Sequence, residues 1–590
     1  MVRGWWGRGR WGRSRRESVA RWPGARAADR LRVAARAWVV LAGLAFLGLA
    51  YRRVLPAAAD FGEIPRAIAL PAQAGLLGLA LLGVLVAWRW EAAGLVVVAV
   101  AATLLGFIAW AQYPPLVAAL VTAALAAPIG LLWLAHQRTR PLRPLATFTA
   151  LTAVLVAGLG VGADRLYGYF YGPTHPPSAA QRAPVDRVAW SWAGALTPTS
   201  FTVTARLAGG ARQARLAVGT DAELRQPVYS PAQPATEDTG RAVRLTATGL
   251  RPGTRYFYGV EVDGRLDRVA RGRVGTAPAG PASFRFAFGA CARTGSSGSV
   301  FDAVRGTDPL LYLNLGDMFY GDVDTDDLAQ FRRLYDATLS APAQAELYRS
   351  TATGYVWDDH DFGPNNADGQ APSRLAASRA YRETVPHYPL AAGADGSIYQ
   401  AFTIGRVRFL LTDSRTGRAS RDALDDDRKT ALGAAQRAWL EAELRSARDR
   451  YPLVVWANPI PWIEDVEAGS DAWGGYSTER RRLSDLIAAA GIRNLLMISG
   501  DAHMLAIDDG SHSDYSARGG AGFPVFHAAP LDRPGAVKGG PYSHGTRTEG
   551  GQFGLVSVDD PGAGPVTVTL SGRTYTGAEV MRHRFTSPRG

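Results

Sequence analysis

The chain has 590 residues, more than one hydrophobic core normally serves, so two or three domains are expected. Its formal charge is +13, but the arginines crowd into the first residues (Arg3, Arg8, Arg10, Arg13, Arg15, Arg16, Arg21, Arg26, Arg30, Arg32 and Arg36) beside an apolar run, which argues against a nucleic-acid groove and for a membrane flank. A single cysteine, Cys291, excludes an intramolecular disulfide framework.

In chain order, residues 1–36 read as a basic cytoplasmic segment. Apolar runs at 34–51, 67–88, 92–111, 115–135 and 145–163 are each about as long as a membrane span, on the order of 20 residues. They predict an all-α transmembrane region over 37–163 with about five helices. The arginine asymmetry, with Arg89, Arg138, Arg140 and Arg143 on inside loops, places the N-terminus inside, although Arg52, Arg53 and Arg66 run against it. An odd number of spans puts the remainder outside the cytoplasm, and makes membrane lipid a partner. Residues 164–184, which include His175, read as an aromatic collar and Pro-rich linker.

Over 185–277 short alternating strands are separated by Gly209-Gly210, Pro252-Gly253 and Asp263-Gly264, the pattern of a small β-sandwich. Residues 250–258 (LRPGTRYFY) resemble a fibronectin type III strand pair. From 282 to 590, strands alternate with helices, which predicts a layered α/β domain. A strand at 566–570 is expected to close one sheet.

Within that domain one design recurs. The strand 284–288 runs to Cys291 and Arg293; 310–315 to Asp317 and Tyr320; 353–357 to Asp358, Asp359, His360 and Asp361; and 494–499 to Asp501 and His503. In open α/β sheets functional residues gather at the carboxyl ends of the strands, so these are expected to converge. Cys291, unpaired in a domain expected to face an oxidising compartment, reads as a ligand rather than as core filler.

These motifs resemble, as an ordered set, the alkaline phosphatase D (PhoD-like) metallophosphoesterases. Residues 473–480 (WGGYSTER) are similar to a further segment of that family, with Gly474 where an Asp is usual; the resemblance runs from about Arg182 to the C-terminus. It implies a calcineurin-like α/β metallophosphoesterase fold, Fe3+ and Ca2+ as cofactors, and a phosphate ester as substrate. It also implies metal ligation by Cys291, Asp317 (bridging), Tyr320, Asp359, Asp501 and His503, with His360 as general acid. Thiolate with phenolate suits a ferric ion, and Asp501 in place of a His shifts the second position towards oxygen ligands and Ca2+.

Asn458, after the strand 453–456, is a further candidate ligand. Arg293, Arg415, Arg418 and Arg480 are candidates for gripping phosphate, Arg293 foremost, and Asn365 and Asn366 for hydrogen bonds behind the ligands. His387, His512, His527, His544 and His583 match no motif and read as structural. No His or Lys motif stands beside Ser297 or Ser299, so a covalent serine mechanism is not indicated. The expected protein is a membrane-anchored, outward-facing hydrolase of phosphomonoesters or phosphodiesters. The rival is a membrane sensor or scaffold whose phosphatase-like domain binds a phosphorylated ligand without turnover.

Overall fold

The computed structural model describes residues 25–51, 66–87, 89–112, 127–132, 135, 182–393, 396–533 and 535–587. The chain divides into two compact units, Met1–Ala59 with Ile64–Ala163, and Asp60–Glu63 with Asp164–Gly590.

The first unit contains the helices Ala25–Tyr51, Arg66–Val86 and Glu91–Gln112. The latter two pair closely: a Cβ on Gly83 would lie 2.8 Å from the Val98 side chain. Among the described residues no helix is long and apolar enough to cross a membrane. This overturns the expected five-span transmembrane region, and with it the multi-pass location and the outward orientation argued from it. Ala- and Gly-rich apolar helices are also what a close helical pair buries, as Ala80, Val84, Leu95, Val98 and Ala99 are buried here, and composition alone does not separate the two cases. Residues 1–24 and 164–181, and the expected runs at 115–135 (apart from 127–132 and 135) and 145–163, lie outside the described residues.

The second unit opens with two antiparallel sheets over the residues expected to form the β-sandwich. Val188–Gly194, Phe201–Leu207 and Ala242–Ala247 form one antiparallel sheet. The other is built from Val228–Tyr229, Gln213–Gly219, Arg255–Val262 and Arg265–Gly275, with Gln233–Pro234 alongside Gln213–Gly219. The sandwich shares a hydrophobic core with the α/β layers that follow. Trp190 Nε1 donates to Asp336 Oδ1 at 2.7 Å and Trp192 Nε1 to the Thr384 carbonyl at 2.6 Å.

Two sheets face one another behind the site. The six-stranded sheet runs Ala352–Val356, Leu311–Leu315, Phe284–Gly289, Gln552–Asp559, Val566–Thr574, Glu579–Ser587. The expected late strand therefore lies inside this sheet, and Glu579–Ser587 forms the edge. The seven-stranded sheet runs Gln400–Ile404, Val407–Leu411, Leu453–Ala457, Leu495–Ser499, Val525–Ala528, Leu505–Asp508, Thr546–Arg547. Their inner faces meet through aromatic rings, Phe286 on Phe409 at 5.2 Å and Phe288 on Phe526 at 5.0 Å.

The parallel strands Leu311–Leu315, Ala352–Val356, Leu453–Ala457 and Leu495–Ser499 are buried throughout, as strands covered on both faces must be. Helices supply the outer cover. Leu440, Leu444, Leu483 and Ile487 pack on Val454, Trp456 and Met497. Phe331, Leu334, Leu347 and Tyr348 belong to the core of the other sheet.

Candidate metal centre

Each parallel strand releases its polar residues just past its last apolar position, and the chain turns sharply there. Cys291, Asp317, Asp501 and His503 all take left-handed backbone angles (φ 64°, 51°, 53° and 50°). Such a conformation costs a non-glycine residue on the order of 1–3 kcal/mol and persists only where its surroundings impose it. Here the corners are tied to each other: the Cys291 N–H donates to the Gly316 carbonyl at 3.3 Å, Ala292 N–H to the Asp317 carbonyl at 2.9 Å, and Asp532 N–H to the Cys291 carbonyl at 3.1 Å.

The corners bring two groups of ligand atoms together. Those of Cys291, Asp317 and His503 lie within 4.8 Å of one another, as do those of Asp317, Asp359 and His360. Asp317 belongs to both. Tyr320 Oη is 3.0 Å from His503 Nε2, and its ring lies 4.2 Å from the His360 ring.

Among the described residues, Asp317 Oδ1, Asp501 Oδ2 and Asn458 Oδ1 are buried acceptors without a hydrogen-bond partner, as is Asp358 Oδ2 beside Arg415. Asn458 donates through Nδ2 to the Ile460 carbonyl at 2.6 Å, which fixes the amide orientation. A buried acceptor without a partner is costly, so a carboxylate pair and an amide oxygen left in this state fit residues built to hold cations.

Titration follows from this crowding. Burial pushes the Asp317 carboxyl up to about 8. Asp359 is also buried, yet His360, Arg415 and the Asn366 N–H hold it below the usual carboxylate range. Burial opposes charge on His360, but Asp359, Asp317 and Asp322 prevail and raise it to about 10. Burial drives the Cys291 thiol well up. A cation binding here would displace protons from the groups so raised.

The remaining sequence candidates fall into different places. Asn366 serves through its backbone N–H, which donates to Asp359 Oδ2 at 2.6 Å, whereas Asn365 is exposed. Arg293 is buried, with Nε on Asp532 Oδ2 at 2.9 Å. Arg415 donates from Nε to Asp358 Oδ1 at 2.6 Å and grips Asp471 through two bonds of 3.1 and 2.8 Å. Arg418 also holds Asp471, at 3.0 Å, and Arg480 donates to the Trp462 and Glu464 carbonyls at 2.9 and 2.7 Å. All four arginines are buried and each holds a carboxylate or carbonyl acceptor within its own core, while Arg418 Nε and Nη1 and Arg480 Nε have no hydrogen-bond partner among the described residues.

Gly474 has an equally local explanation. A Cβ there would lie 2.1 Å from the Asp465 carbonyl oxygen and 2.4 Å from Glu464 Oε2, and the Gly474 N–H donates to that same carboxylate at 2.8 Å. The Glu464 carboxylate thus fills the space beside Gly474. His387, His512, His527, His544 and His583 stand in neither ligand group.

Sequence reasoning missed three residues at the cluster. Asp322 accepts from His360 Nδ1 at 2.7 Å; Lys538 Nζ donates to Asp501 Oδ1 at 2.6 Å; and the Arg533 guanidinium lies 3.9 Å over the Tyr320 ring. Arg533 and Lys538 follow the strand Val525–Ala528, parallel to Leu495–Ser499. Two cations beyond a strand of that direction were the available signal.

Comparison with known proteins agrees with this geometry. Residues 286–548 match the family model described as PhoD-like phosphatase. Alkaline phosphatase D of Bacillus subtilis (strain 168) is 26% identical over 335 residues, which cover 48% of this chain and 57% of that protein; the match thus spans a little over half of the curated relative. Among solved structures, that of PhoD has a TM-score of 0.57 at 20% identity, covering 68% of this chain and 90% of the other, and the two share the fold. A purple acid phosphatase from yellow lupin (Lupinus luteus) seeds has a TM-score of 0.49 at 12% identity, covering 68% and 74%. The family model falls on the part of the chain that carries the two ligand groups, and the solved PhoD structure shares its fold.

Proposed function

We propose that the chain is a metal-dependent phosphoesterase acting on phosphomonoesters or phosphodiesters, with a β-sandwich domain over 185–277 and the catalytic domain over 282–590. The observation that carries this reading is the sharing of Asp317 between two convergent ligand groups, beside a histidine whose Nδ1 is held by Asp322.

Cys291, Tyr320, His503 and Asp317 form the set suited to Fe3+, and Asp317, Asp359, Asp501 and Asn458 the oxygen-rich set suited to Ca2+. When bound, such cations polarise the phosphoryl oxygens and lower the pKa of water. The chain's own residues do the rest. His360, paired with Asp322, donates a proton to the leaving oxygen. Asp322 fixes the ring by accepting from Nδ1, which leaves Nε2 for the substrate. Arg415 balances Asp358 and Asp471 behind the ligands, so that the buried carboxylates tolerate one another.

Metal analysis of the purified full chain, with hydrolysis assays on aryl phosphomonoesters and diesters, tests the proposal. Turnover that disappears with a chelator and returns with added metal supports it; a metal-loaded chain that binds phosphate without hydrolysing any ester overturns it in favour of a binding role.

A further inference from the structure

The four arginines that the sequence offers for phosphate are buried and each holds a core acceptor, although Arg418 Nε and Nη1 and Arg480 Nε have no hydrogen-bond partner among the described residues; an accessible cationic side chain beside the ligand groups would add a charge-assisted bond to a phosphoryl oxygen. Two cations not anticipated in that role border the ligand groups, and both lie on one loop. Arg533 stacks over Tyr320, on the side of the group with Cys291, Asp317 and His503. Lys538 reaches Asp501 Oδ1 at 2.6 Å from an exposed stretch, with 44% of its own side chain accessible and only 10% of that of Asp501.

Resting on the phosphoesterase reading, we propose that Lys538 is the substrate-binding cation of this site, donating to a non-bridging oxygen of the ester phosphate. The placement supports this in three ways. The ammonium is held at the mouth of the cluster rather than within the framework, as Arg415 is. Its partner carboxylate has a second, buried oxygen with no protein partner, and a cation bound there weakens the hold of Asp501 on the lysine. A lysine, with three donors on a flexible stem, can then turn to an incoming anion without disturbing the core, which a buried arginine fork cannot do. The Arg533 guanidinium, 3.9 Å over the Tyr320 ring, packs on that ring from the same loop.

The test compares Lys538→Met and Lys538→Arg with the unmodified full chain. Metal content, kcat and KM for an aryl phosphomonoester, and the Kd of inorganic phosphate by calorimetry are measured on each. The methionine variant is expected to keep its metals and to raise both KM and the phosphate Kd by about tenfold or more, the scale of one charge-assisted hydrogen bond, with a smaller change in kcat. The arginine variant recovers most of the loss. Unchanged KM and Kd in metal-loaded Lys538→Met overturn the proposal, as does a loss explained wholly by missing metal, which would make the lysine a mere counter-charge for Asp501. If the unmodified protein binds metal and phosphate but hydrolyses no ester, the phosphoesterase reading falls, and the phosphate Kd alone still decides the role of Lys538.

Discussion

His360 and Asp322 are tied to each other twice: the His360 ring donates from Nδ1 to Asp322 Oδ1 at 2.7 Å, while the His360 carbonyl accepts the N–H groups of Gly321 and Asp322 at 3.1 and 3.3 Å. The loop after Tyr320 thereby fixes both the tautomer and the direction of the ring. His360→Ala is expected to lower turnover by about two to four orders of magnitude, the usual range for general acid catalysis. Asp322→Asn, which keeps the shape and removes the charge, should cost about tenfold. Both losses should grow as the leaving group becomes poorer. Equal losses with good and poor leaving groups would remove proton donation from the role of His360.

Gly474 gives a stability prediction. Restoring the Asp usual in the family should fail here, because the Cβ position is already blocked by the Asp465 carbonyl and the Glu464 carboxylate. Gly474→Asp is expected to lower unfolding free energy by about 3 kcal/mol, combining overpacking with a like charge beside a partly buried carboxylate. Urea unfolding measures it; a variant as stable as the parent would show that the segment 464–474 relaxes freely.

The ligand set was legible because its signal is local. An apolar strand followed by Cys291, Asp317, Asp359 or Asp501 is written in consecutive residues, and strand direction then gathers them. What was not legible depends on contacts between distant segments. Arg415 is marked as framework only once Asp358 and Asp471 surround it, and Glu464 fills the space beside Gly474 from ten positions away. Lys538 reaches Asp501 from a loop with no motif. In the first unit the apolar runs were visible, but the pattern of small residues is common to packed helices and membrane spans, and the spans inferred from it were overturned.

Arg415 should be among the least replaceable side chains of the second unit. It is fully buried and compensates Asp358 and Asp471. Arg415→Met is expected to destabilise by about 3–5 kcal/mol, since it leaves buried carboxylates without their cation. Arg415→Lys should recover only part, because one ammonium cannot replace the fork that spans both acids. Chemical unfolding of the two variants checks this, and a methionine variant with unchanged stability would show that the carboxylates are protonated instead.

A pH dependence follows from His387, which burial and the nearby Arg244 lower to about 4. The unfolded reference is about 6.5, so between roughly pH 6.5 and 4 the unfolded chain binds more protons at this site. The contribution of His387 is therefore complete above the unfolded value and is lost as pH falls through this window. His387 Nδ1 donates to the Tyr388 carbonyl at 2.7 Å, a bond that His387→Gln can keep. The variant should lose less stability than the parent between pH 7 and 4.5, by about 1–3 kcal/mol. The difference between the two proteins is the quantity to measure, because Asp317 and Asp361, raised by burial to about 8 and about 6, act with the opposite sign in both. Parallel stability curves would mean that His387 takes up its proton without cost.

The two ligand groups should also be separable by metal. Cys291, Asp317 and His503 converge, with Tyr320 Oη 3.0 Å from His503 Nε2, while Asp359 and His360 share only Asp317 with them. If the first group holds Fe3+, as proposed, the Tyr320 phenolate donates charge to it and the purified protein is coloured, which Zn2+ or Ca2+ cannot produce. Tyr320→Phe should then bleach the visible band. Cys291→Ser and His503→Ala should lower iron retention, the first because a poorly ionised hydroxyl replaces a thiolate. Asp359→Asn acts on the other group and should leave most of the band while lowering activity. Absorption spectra beside iron and calcium content per chain separate these outcomes. A colourless, iron-free protein fully active with zinc would show that the assignment of Cys291 and Tyr320 to iron is wrong, even with the phosphoesterase reading intact.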